Sequence, residues 1–290
     1  MKNKTLLPLV TLTWMGLSSV VFAVHSTPET FCRFVPERSD DFAWENDKVA
    51  FRAYGPALHD SGEDSGFDAW LKRVDYPIIN KWYKESKAGK SYHTDHGEGY
   101  DPYKVGSSRG CGGLALWIDE KMVVSNVFTD WKVIKSTPAE SIFVLSYEYQ
   151  VGNDTYTEEK QISIALGDRL FKSTSTFKKN GELVANLPIA IGLVLQHKTD
   201  LVSKDLSTGW MSLWGTIDDS ELGTGVAIDP KRIEHFQLME TDEKLGDHAL
   251  IITKTDEHGQ VEYYAGYGWK KAGEIKTSTD WNQYLSEFKK

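Results

Sequence analysis

The stretch that decides the fold is SIFVLSYEYQVGNDTYTEEKQISIALGDRLFKSTSTFKK, residues 141–179. It contains three runs in which apolar and polar side chains alternate, and a period of two is typical of strands with one buried face. The runs are separated by GND at residues 152–154 and GD at 167–168, and NG follows at 180–181. Asn, Asp and Gly readily adopt the backbone conformations of tight turns. The stretch therefore predicts three consecutive antiparallel strands.

Short strands of the same kind extend on both sides of this stretch. They recur in GLALWID, KMVVSNVF and WKVIKST before it and in LPIAIGLVLQHK, GWMSLWGTI, TGVAID, HALIITKT and VEYYAGYGW after it. Many short strands with turn residues between them predict an all-β fold, a large antiparallel β-sandwich. Only the tail STDWNQYLSEFKK, residues 278–290, predicts a short C-terminal helix, capped by Ser278 or Thr279.

Two segments before residue 91 are less regular. DDFAWENDKVAFRAYGPAL, residues 40–58, predicts a strand that ends at the Gly-Pro pair of residues 55–56. Residues 60–90 begin as a loop and then predict a short helix broken at Pro77. Since no internal repeat or linker interrupts the chain, residues 24–290 are expected to form a single domain.

The N-terminal stretch MKNKTLLPLVTLTWMGLSSVVFA, residues 1–23, has basic residues, an apolar run and small residues in the order of a secretory signal. We expect cleavage after Ala23 and a periplasmic or secreted protein. No later run approaches the roughly 20 apolar residues of a membrane-spanning helix, so no membrane partner is expected.

The charge of the chain disfavours nucleic acid as a partner. Its net charge is −9, and −11 without residues 1–23, which hold two lysines and no acids. Phosphate backbones are bound mainly by clustered Lys and Arg, whereas a few well-placed cations can still bind an anionic sugar. The two cysteines, Cys32 and Cys111, would either pair or remain free in an oxidising compartment. Motifs typical of serine hydrolases and nucleotide-binding enzymes are absent from the sequence.

The segment SYHTDHGEGYDPYKVGSSRGCGG, residues 91–113, is rich in titratable side chains and glycines. Its candidate functional residues are His93, Asp95, His96, Glu98, Asp101, Tyr103 and Arg109. One interpretation is the acid–base wall of a sugar-binding cleft, and another is a loop whose polar groups only stabilise turns. Imidazoles and carboxylates also suit a divalent metal, but no second ligand cluster accompanies them, so neither metal nor cofactor is predicted.

Further candidates lie outside this segment. Arg52 and Tyr54 are two residues apart in a predicted strand and share a face, where the arginine could bind a carboxylate. The alternative is a surface ion pair with one of the acids at positions 40, 41 and 45. Small neighbours are expected to leave the Arg109 guanidinium accessible. His197 ends an apolar run and is either catalytic or structural.

Aromatic side chains are the other signal for sugar binding, because sugars pack C–H faces on aromatic rings. The candidates are Trp44, Trp210, Trp214, Tyr267 and Trp269. In YYAGYGWKKAG, residues 263–273, glycines between the aromatics are expected to expose ring faces. The alternative for each ring is burial in the core.

With these residues assembled, the chain resembles a family of secreted bacterial proteins of unknown function that are encoded among polysaccharide-utilisation genes. The stretches that carry the resemblance are DDFAWENDKVAFRAYGPAL, HTDHGEGYDPYKVGSSRGCGGLALW, GWMSLWG, GTGVAIDP, VEYYAGYGWKKAG and DWNQYLSEFKK. The resemblance implies a β-sandwich like that of galactose mutarotases and several polysaccharide lyases. It also implies similarity to an oligosaccharide dehydratase of ulvan breakdown, which removes water from a terminal uronic acid to leave a 4,5-unsaturated sugar.

Elimination from a uronate needs a cation for the carboxylate, a base for the C5 proton and an acid for the group that leaves C4. Arg52 or Arg109 could supply the cation and His93 or His96 the base. Tyr103 or Tyr54 could supply the acid, while Asp95 or Glu98 would orient a histidine. We therefore expect a carbon–oxygen lyase, a dehydratase or polysaccharide lyase, acting on anionic oligosaccharides. A glycoside hydrolase and a mutarotase-like sugar-binding protein remain the alternatives.

Overall fold

The computed structural model describes residues 27–241 and 245–289, so the expected signal segment lies outside the described residues. The described chain is built almost wholly of strands. In chain order they are β1 Phe31–Val35, β2 Asp41–Glu45, β3 Ala50–Ala53, β4 Phe67–Lys72, β5 Gly99–Tyr100, β6 Cys111–Ile118, β7 Lys121–Val123, β8 Asp130–Ser136, β9 Glu140–Val151, β10 Asp154–Ala165, β11 Leu170–Lys179, β12 Glu182–Leu183, β13 Pro188–Val194, β14 Leu201–Asp205, β15 Trp210–Ile217, β16 Ser220–Ala227, β17 His235–Met239, β18 His248–Lys254 and β19 Gln260–Trp269. Two α-helices accompany them, α1 Ile79–Lys87 and α2 Ser278–Glu287.

These strands form three antiparallel sheets. The first has the order β1-β2-β3-β4-β5. The second, of nine strands, has the order β14-β15-β16-β19-β11-β10-β9-β8, with β12 paired to β11. The third has the order β17-β18-β13-β6-β7. The all-β, sandwich-like prediction with a short C-terminal helix is confirmed, and the three strands predicted in residues 141–179 are β9, β10 and β11.

Some local predictions were wrong. Residues 40–58 form two strands, β2 and β3, because the Asn46 side chain accepts hydrogen bonds from the amides of Lys48 and Val49 and turns the chain. The segment expected to begin as a loop contains β4. Helix α1 starts just after Pro77 and is not broken by it.

Helix α2 has a different cap from the two that the sequence suggested. Thr277 is its N-cap, and the Thr277 and Asp280 side chains each bond the other's backbone amide in a capping box. The helix lies on β15 and β16, where Trp281 and Leu285 cover the glycines at positions 223 and 225.

The first sheet packs its inner face against the large sheet. Trp44 and Phe51 of the first sheet contact Phe171 edge-on, and Phe51 also contacts Tyr267. Since side chains alternate along a strand, Arg52 next to Phe51 must point to the outer face of this sheet. That face is covered by α1 and by the loop of residues 91–101, which together enclose the polar groups described below.

Both cysteines are free and buried. Burial raises the pKa of the Cys32 thiol, and the Cys111 thiol donates to the Gly266 carbonyl oxygen at 3.3 Å. Across residues 27–241 and 245–289, none of the helices is long and apolar enough to span a membrane.

Candidate functional site

A buried group of charges on the outer face of the first sheet is the candidate site, and we call it the Arg52 cluster: Arg52, Arg38, Asp41, Asp68 and Asp101. Arg52 Nη2 lies 2.5 Å from Asp68 Oδ2 and 3.2 Å from Asp101 Oδ2. Its Nε lies 3.8 Å from Asp41 Oδ2. One guanidinium thus faces three carboxyl groups, each almost fully buried.

The strands bring these residues together. Arg52 of β3 is directly opposite Asp68 of β4 in the sheet register, so their side chains share the outer face. Asp101 arrives at the end of the loop that passes over this face, where its amide donates to the Tyr92 carbonyl oxygen at 2.9 Å. The expected surface ion pair of Arg52 is therefore replaced by buried pairs.

Burial and mutual repulsion perturb the acids of the Arg52 cluster. Burial raises the pKa of Asp41 to about 6, against the lowering effect of the two arginines. The pKa of Asp68 is also raised by burial. The pKa of Asp101 is raised well above its usual value, first by burial and then by the charge of Asp68. Three carboxylates cannot all ionise cheaply around Arg52, so we expect the cluster to hold a proton near neutral pH.

His93 sits at the exposed rim of the Arg52 cluster. Its Nδ1 lies 2.9 Å from the backbone oxygen of Asp101 and 3.5 Å from Asp101 Oδ2. A carbonyl oxygen can only accept, so in the neutral ring Nδ1 carries the hydrogen and Nε2 keeps its lone pair. The side chain is 59% exposed, and Nε2 has no hydrogen-bond partner in the described part of the chain. His93 is thus set up to accept a proton from a ligand.

Tyr92 completes this rim and was missed as a candidate from the sequence. Its ring stacks on Trp70 and lies beside His93, with centroid distances of 4.9 and 4.5 Å. Arg52 Nη1 donates to its phenol oxygen at 3.4 Å. Because that oxygen accepts from a cation, the Tyr92 hydroxyl hydrogen is free to be donated to a ligand. Its position next to His93 in the sequence was the available signal.

Arg38 was also missed, and it is the more accessible of the two arginines. Its side chain is 25% exposed, and its guanidinium lies 3.0 Å from Asp41 Oδ2 and 3.4 Å from Glu63 Oε2. Burial and Arg52 oppose its charge, but Asp41, Glu63 and Tyr92 raise its pKa overall. Arg38 precedes the first candidate strand in a turn-like segment, so no sequence pattern pointed to it.

Tyr54 lies beneath the Arg52 cluster, where its ring contacts the guanidinium groups of Arg38 and Arg52 at 5.7 and 5.4 Å. Burial raises the pKa of its phenol well above the usual value. Tyr54 is therefore placed to support the two cations by cation–π contact, and Tyr92 is the less buried of the two tyrosines.

The other acids of the loop are engaged in holding it. Asp95 accepts two hydrogen bonds from Arg73, at 2.7 and 2.9 Å. Partial burial opposes ionisation, but the Gly97 amide and Arg73 lower the pKa of Asp95. Glu98 accepts from Tyr76, Lys81 and Trp82. Within the described residues neither carboxylate contacts a histidine, and the acid that lies beside His93 is Asp101.

His96 is exposed and makes no contact with the Arg52 cluster in the part of the chain that the structure describes. Its Nε2 lies 3.0 Å from the Ser91 backbone oxygen. It lines a small hollow with Trp82 and Thr94. Of the two candidate bases, the structure thus brings only His93 to the Arg52 cluster.

The expectation that Arg109 is accessible was wrong. Arg109 is fully buried, and its guanidinium donates to Ser65 Oγ and to the backbone oxygens of Leu114 and Ser107 at 2.8–3.0 Å. A Cβ on Gly192 would lie 2.7 Å from the Arg109 side chain. The small neighbours therefore let adjacent strands close over the arginine, which ties backbone segments together.

Tyr103 and His197 lie near Asp200 rather than in the Arg52 cluster. Tyr103 is buried and lines a small hollow with Asp200, and burial raises the pKa of its phenol well above normal. His197 is exposed in a turn that is closed by Asp200, whose carboxylate accepts from the His197 amide at 3.1 Å. These contacts favour a structural role over a catalytic role for both residues.

The expectation of exposed aromatic platforms was wrong. Trp44, Tyr267 and Trp269 are fully buried, and Trp210 and Trp214 lie against α2 with less than a tenth of their surface exposed. Glycines between the aromatics do not uncover the rings, because neighbouring segments fill the space. A Cβ on Gly268, for example, would meet both Ile275 and Trp281 at about 3 Å.

The histidines of the loop are not gathered with other ligands. Among residues 27–241 and 245–289, no three His, Cys, Asp or Glu side chains are grouped so that they could hold a metal ion.

Comparisons with known proteins place the chain in a family. Residues 15–290 match the family described as "Domain of unknown function (DUF4861)". The chain is also 37% identical over 276 residues to an uncharacterized protein, P7, of Formosa agariphila, and the match covers 91% of this chain and 68% of that protein.

Proposed function

Since this chain belongs to the DUF4861 family of unknown function, its activity must be inferred from the Arg52 cluster, and we propose that it is a carbon–oxygen lyase. The proposed substrates are oligosaccharides that contain uronic acids, such as those of ulvan. The proposed reaction is β-elimination, which leaves a 4,5-unsaturated uronate. The observation that carries the proposal is the rim of the cluster, where His93 and Tyr92 are in contact and Tyr92 also interacts electrostatically with Arg38.

Arg38 is the proposed partner of the substrate carboxylate. It is half-buried and already pairs with Glu63, which is 32% exposed. A uronate carboxylate can replace Glu63 at the guanidinium without leaving a deeply buried charge unpaired. Arg52, held behind the rim by Asp68 and Asp101, adds a fixed positive charge near the developing negative charge.

His93 is the proposed base and Tyr92 the proposed acid. His93 Nε2 takes the proton from C5, and the electron pair of that C–H bond forms the C4=C5 double bond. The C4–O bond breaks at the same time, and the leaving oxygen takes the hydroxyl proton of Tyr92. The Asp101 backbone oxygen accepts the hydrogen of His93 Nδ1 at 2.9 Å, and this hydrogen bond would stabilise the imidazolium that forms.

The phenolate left on Tyr92 would be stabilised by the hydrogen bond from Arg52 Nη1. A proton then passes from His93 back to Tyr92 through solvent, which restores both groups. The balanced products are an unsaturated uronate and either water or an alcohol. Water leaves in a dehydratase and the neighbouring sugar leaves in a polysaccharide lyase, so the same residues serve both.

The test is incubation of the purified protein with uronate oligosaccharides, from ulvan and from other polysaccharides. Product is followed by the ultraviolet absorbance of the conjugated double bond and by mass spectrometry. Loss of water without cleavage identifies a dehydratase, and a shortened oligosaccharide identifies a lyase. If folded protein gives no unsaturated product from any uronate substrate, the proposal is wrong.

The same assay separates the alternatives. A glycoside hydrolase would release reducing ends without a gain in absorbance, and it needs two carboxylates on opposite sides of the bond that is cleaved. In the Arg52 cluster, Asp68 and Asp101 both contact the same atom, Arg52 Nη2. They are therefore less well placed for proton transfer than His93 and Tyr92 are. A sugar-binding protein would bind and form no product. We also propose that the protein acts outside the cytoplasm, which is supported by the secretory-signal pattern of residues 1–23.

A further inference from the structure

A polar hollow larger than the two described above lies over the outer face of the large sheet. Along β19, Val261 and Tyr263 are buried toward the core, so Glu262 and Tyr264 point outward. The hollow above them has a volume of about 520 Å³, and a short turn at residues 229–232 forms its far wall. This volume is in the range of small-ligand sites.

The hollow continues into a neighbour. An adjoining hollow of about 530 Å³ shares Arg232 and Asp256 with the first. Together they form an open groove, which we call the β19 groove. Most of the side chains that line it are charged or polar.

Several polar atoms at the β19 groove are free to bind. Asp229, Asp256 and Glu262 each use one carboxylate oxygen within the protein: Asp229 Oδ1 accepts from the Lys231 amide, Asp256 Oδ1 from two amides, and Glu262 Oε2 from Thr174 and Lys172. Their second oxygens have no partner in the part of the chain that the structure describes. Arg232 donates to two backbone oxygens, both through Nη2. Its Nη1 has no hydrogen-bond partner among the described residues and can donate to a ligand.

We propose that the β19 groove binds a neutral sugar residue of an oligosaccharide, separately from the Arg52 cluster. Carboxylates and a guanidinium can each engage two neighbouring hydroxyl groups. Tyr264, a half-buried ring that also contacts Phe288 and Lys172, would add contact with a sugar's C–H groups. Around the two hollows, the acids Asp229, Glu234, Asp256, Glu257 and Glu262 outnumber the cations Lys172, Lys231, Arg232 and Lys254, so a further negative charge is disfavoured. The ligand is therefore a neutral sugar rather than a uronate.

A peptide fits the β19 groove less well. Both β11 and β19 are paired on each side within the large sheet, so neither of these strands offers an open edge for backbone pairing. The exposed groups are charged or hydroxylated, and Tyr264 is the only aromatic side chain lining the hollow among the described residues. An anchor pocket for an apolar side chain is not formed by this set.

The test is isothermal titration calorimetry of the purified protein with neutral hexose, 6-deoxyhexose and pentose oligosaccharides. At least one should bind, and Glu262→Ala and Tyr264→Ala should each weaken binding about tenfold or more. Glu159→Ala is the matched control, since Glu159 is an exposed glutamate on the outer face of β10 outside the groove, and it should bind as the wild type does.

Three results would overturn the proposal: no neutral oligosaccharide binds to folded protein, binding is unchanged in both variants, or a peptide library binds in place of sugars. Elimination of short uronate oligosaccharides is measured in parallel and should be unchanged by Glu262→Ala. A protein that binds neutral sugars but never eliminates would retain the β19 groove and refute the lyase proposal, so the two failures are distinguishable.

Discussion

Arg52 and Asp68 face each other across β3 and β4, with Nη2 2.5 Å from Oδ2 and neither side chain more than 4% exposed. A charge pair so deeply buried is a liability for the fold unless both partners are present. The pair positions the rim residues, but it makes the stability of the fold sensitive to mutation of either partner. That loss of stability can be measured.

Replacing Arg52 by leucine should destabilise the protein by about 3–5 kcal/mol, because Asp68 and Asp101 would stay buried without the guanidinium that contacts both of them. Urea unfolding measures the change. Glu234→Ala, which breaks the exposed pair with Lys254, is the control and should cost less than about 1 kcal/mol. Equal losses in the two variants would show that the buried pair has no special importance.

His93→Gln and Tyr92→Phe should each lower the rate of elimination by roughly 10²–10⁴-fold, as expected for loss of a general base or acid. His96→Gln is the matched control, since His96 belongs to the same loop but bonds only the Ser91 carbonyl, and its rate should stay near that of the wild type. Initial rates on one uronate oligosaccharide give the comparison. A larger loss in His96→Gln than in His93→Gln would exchange the two assignments.

Arg38→Met and Glu63→Gln should change substrate binding in opposite directions. Loss of the guanidinium should raise KM for a uronate by about tenfold or more. Neutralising Glu63 should lower KM, because that carboxylate competes for Arg38. The amide of a uronate, which lacks the charge, should be insensitive to both changes. KM values that move together in the two variants would contradict this role of Arg38.

The stability of the protein should depend on Asp41 between pH 4 and 7. Burial raises the pKa of Asp41 from 3.8 to about 6 in the folded state. The folded protein therefore binds the proton more tightly than the unfolded chain, and this stabilisation is full below pH 3.8 and lost as the pH rises through about 6. Relative to Asp41→Asn, the wild type should lose about 3 kcal/mol across this window.

Urea unfolding of both proteins at a series of pH values measures this difference, and the comparison removes the contribution of every other titrating group. A difference that stays constant with pH would mean that Asp41 is ionised with an ordinary pKa in the folded protein.

Gly223→Ala should disturb the packing of α2 against β15 and β16. A Cβ at this position would lie 2.6 Å from the Trp281 ring, which is fully buried. Overpacking of this kind costs about 1–3 kcal/mol. Urea unfolding and the near-ultraviolet circular dichroism of tryptophan measure the effect. Thr157→Ala, on the exposed face of β10, should change neither signal, and an unchanged Gly223→Ala protein would show that the helix can shift without loss.

Much of the fold follows from the period-two pattern, because the long strands β9, β10 and β11 alternate buried and less buried residues over most of their length. Short strands such as β4, which is buried on both faces, carry no alternation and were read as loop. Part of the site could also be predicted from the sequence, because Arg52, Tyr54, His93 and Asp101 do lie together.

The remaining errors have a common physical origin, which is that burial depends on distant neighbours. Arg109 and the aromatics of β19 were expected to be exposed because glycines flank them, yet other strands fill the space that the glycines leave. Arg38 and Tyr92 acquire their importance only from the fold, since Arg38 contacts Glu63 and Tyr92 contacts Arg52 across long stretches of sequence.

The strand order of the large sheet also governs how the chain can fold. Strands β8 to β11 and β14 to β16 are runs of sequential neighbours that can form locally, but β19 alone joins them by pairing with β11 on one side and β16 on the other. Leu170 must therefore find Gly266 before the sheet is continuous. Such long-range closure makes folding slow, and the two half-sheets expose unpaired edges until β19 arrives. Substitutions in β19 should consequently affect folding yield more than those in any terminal strand.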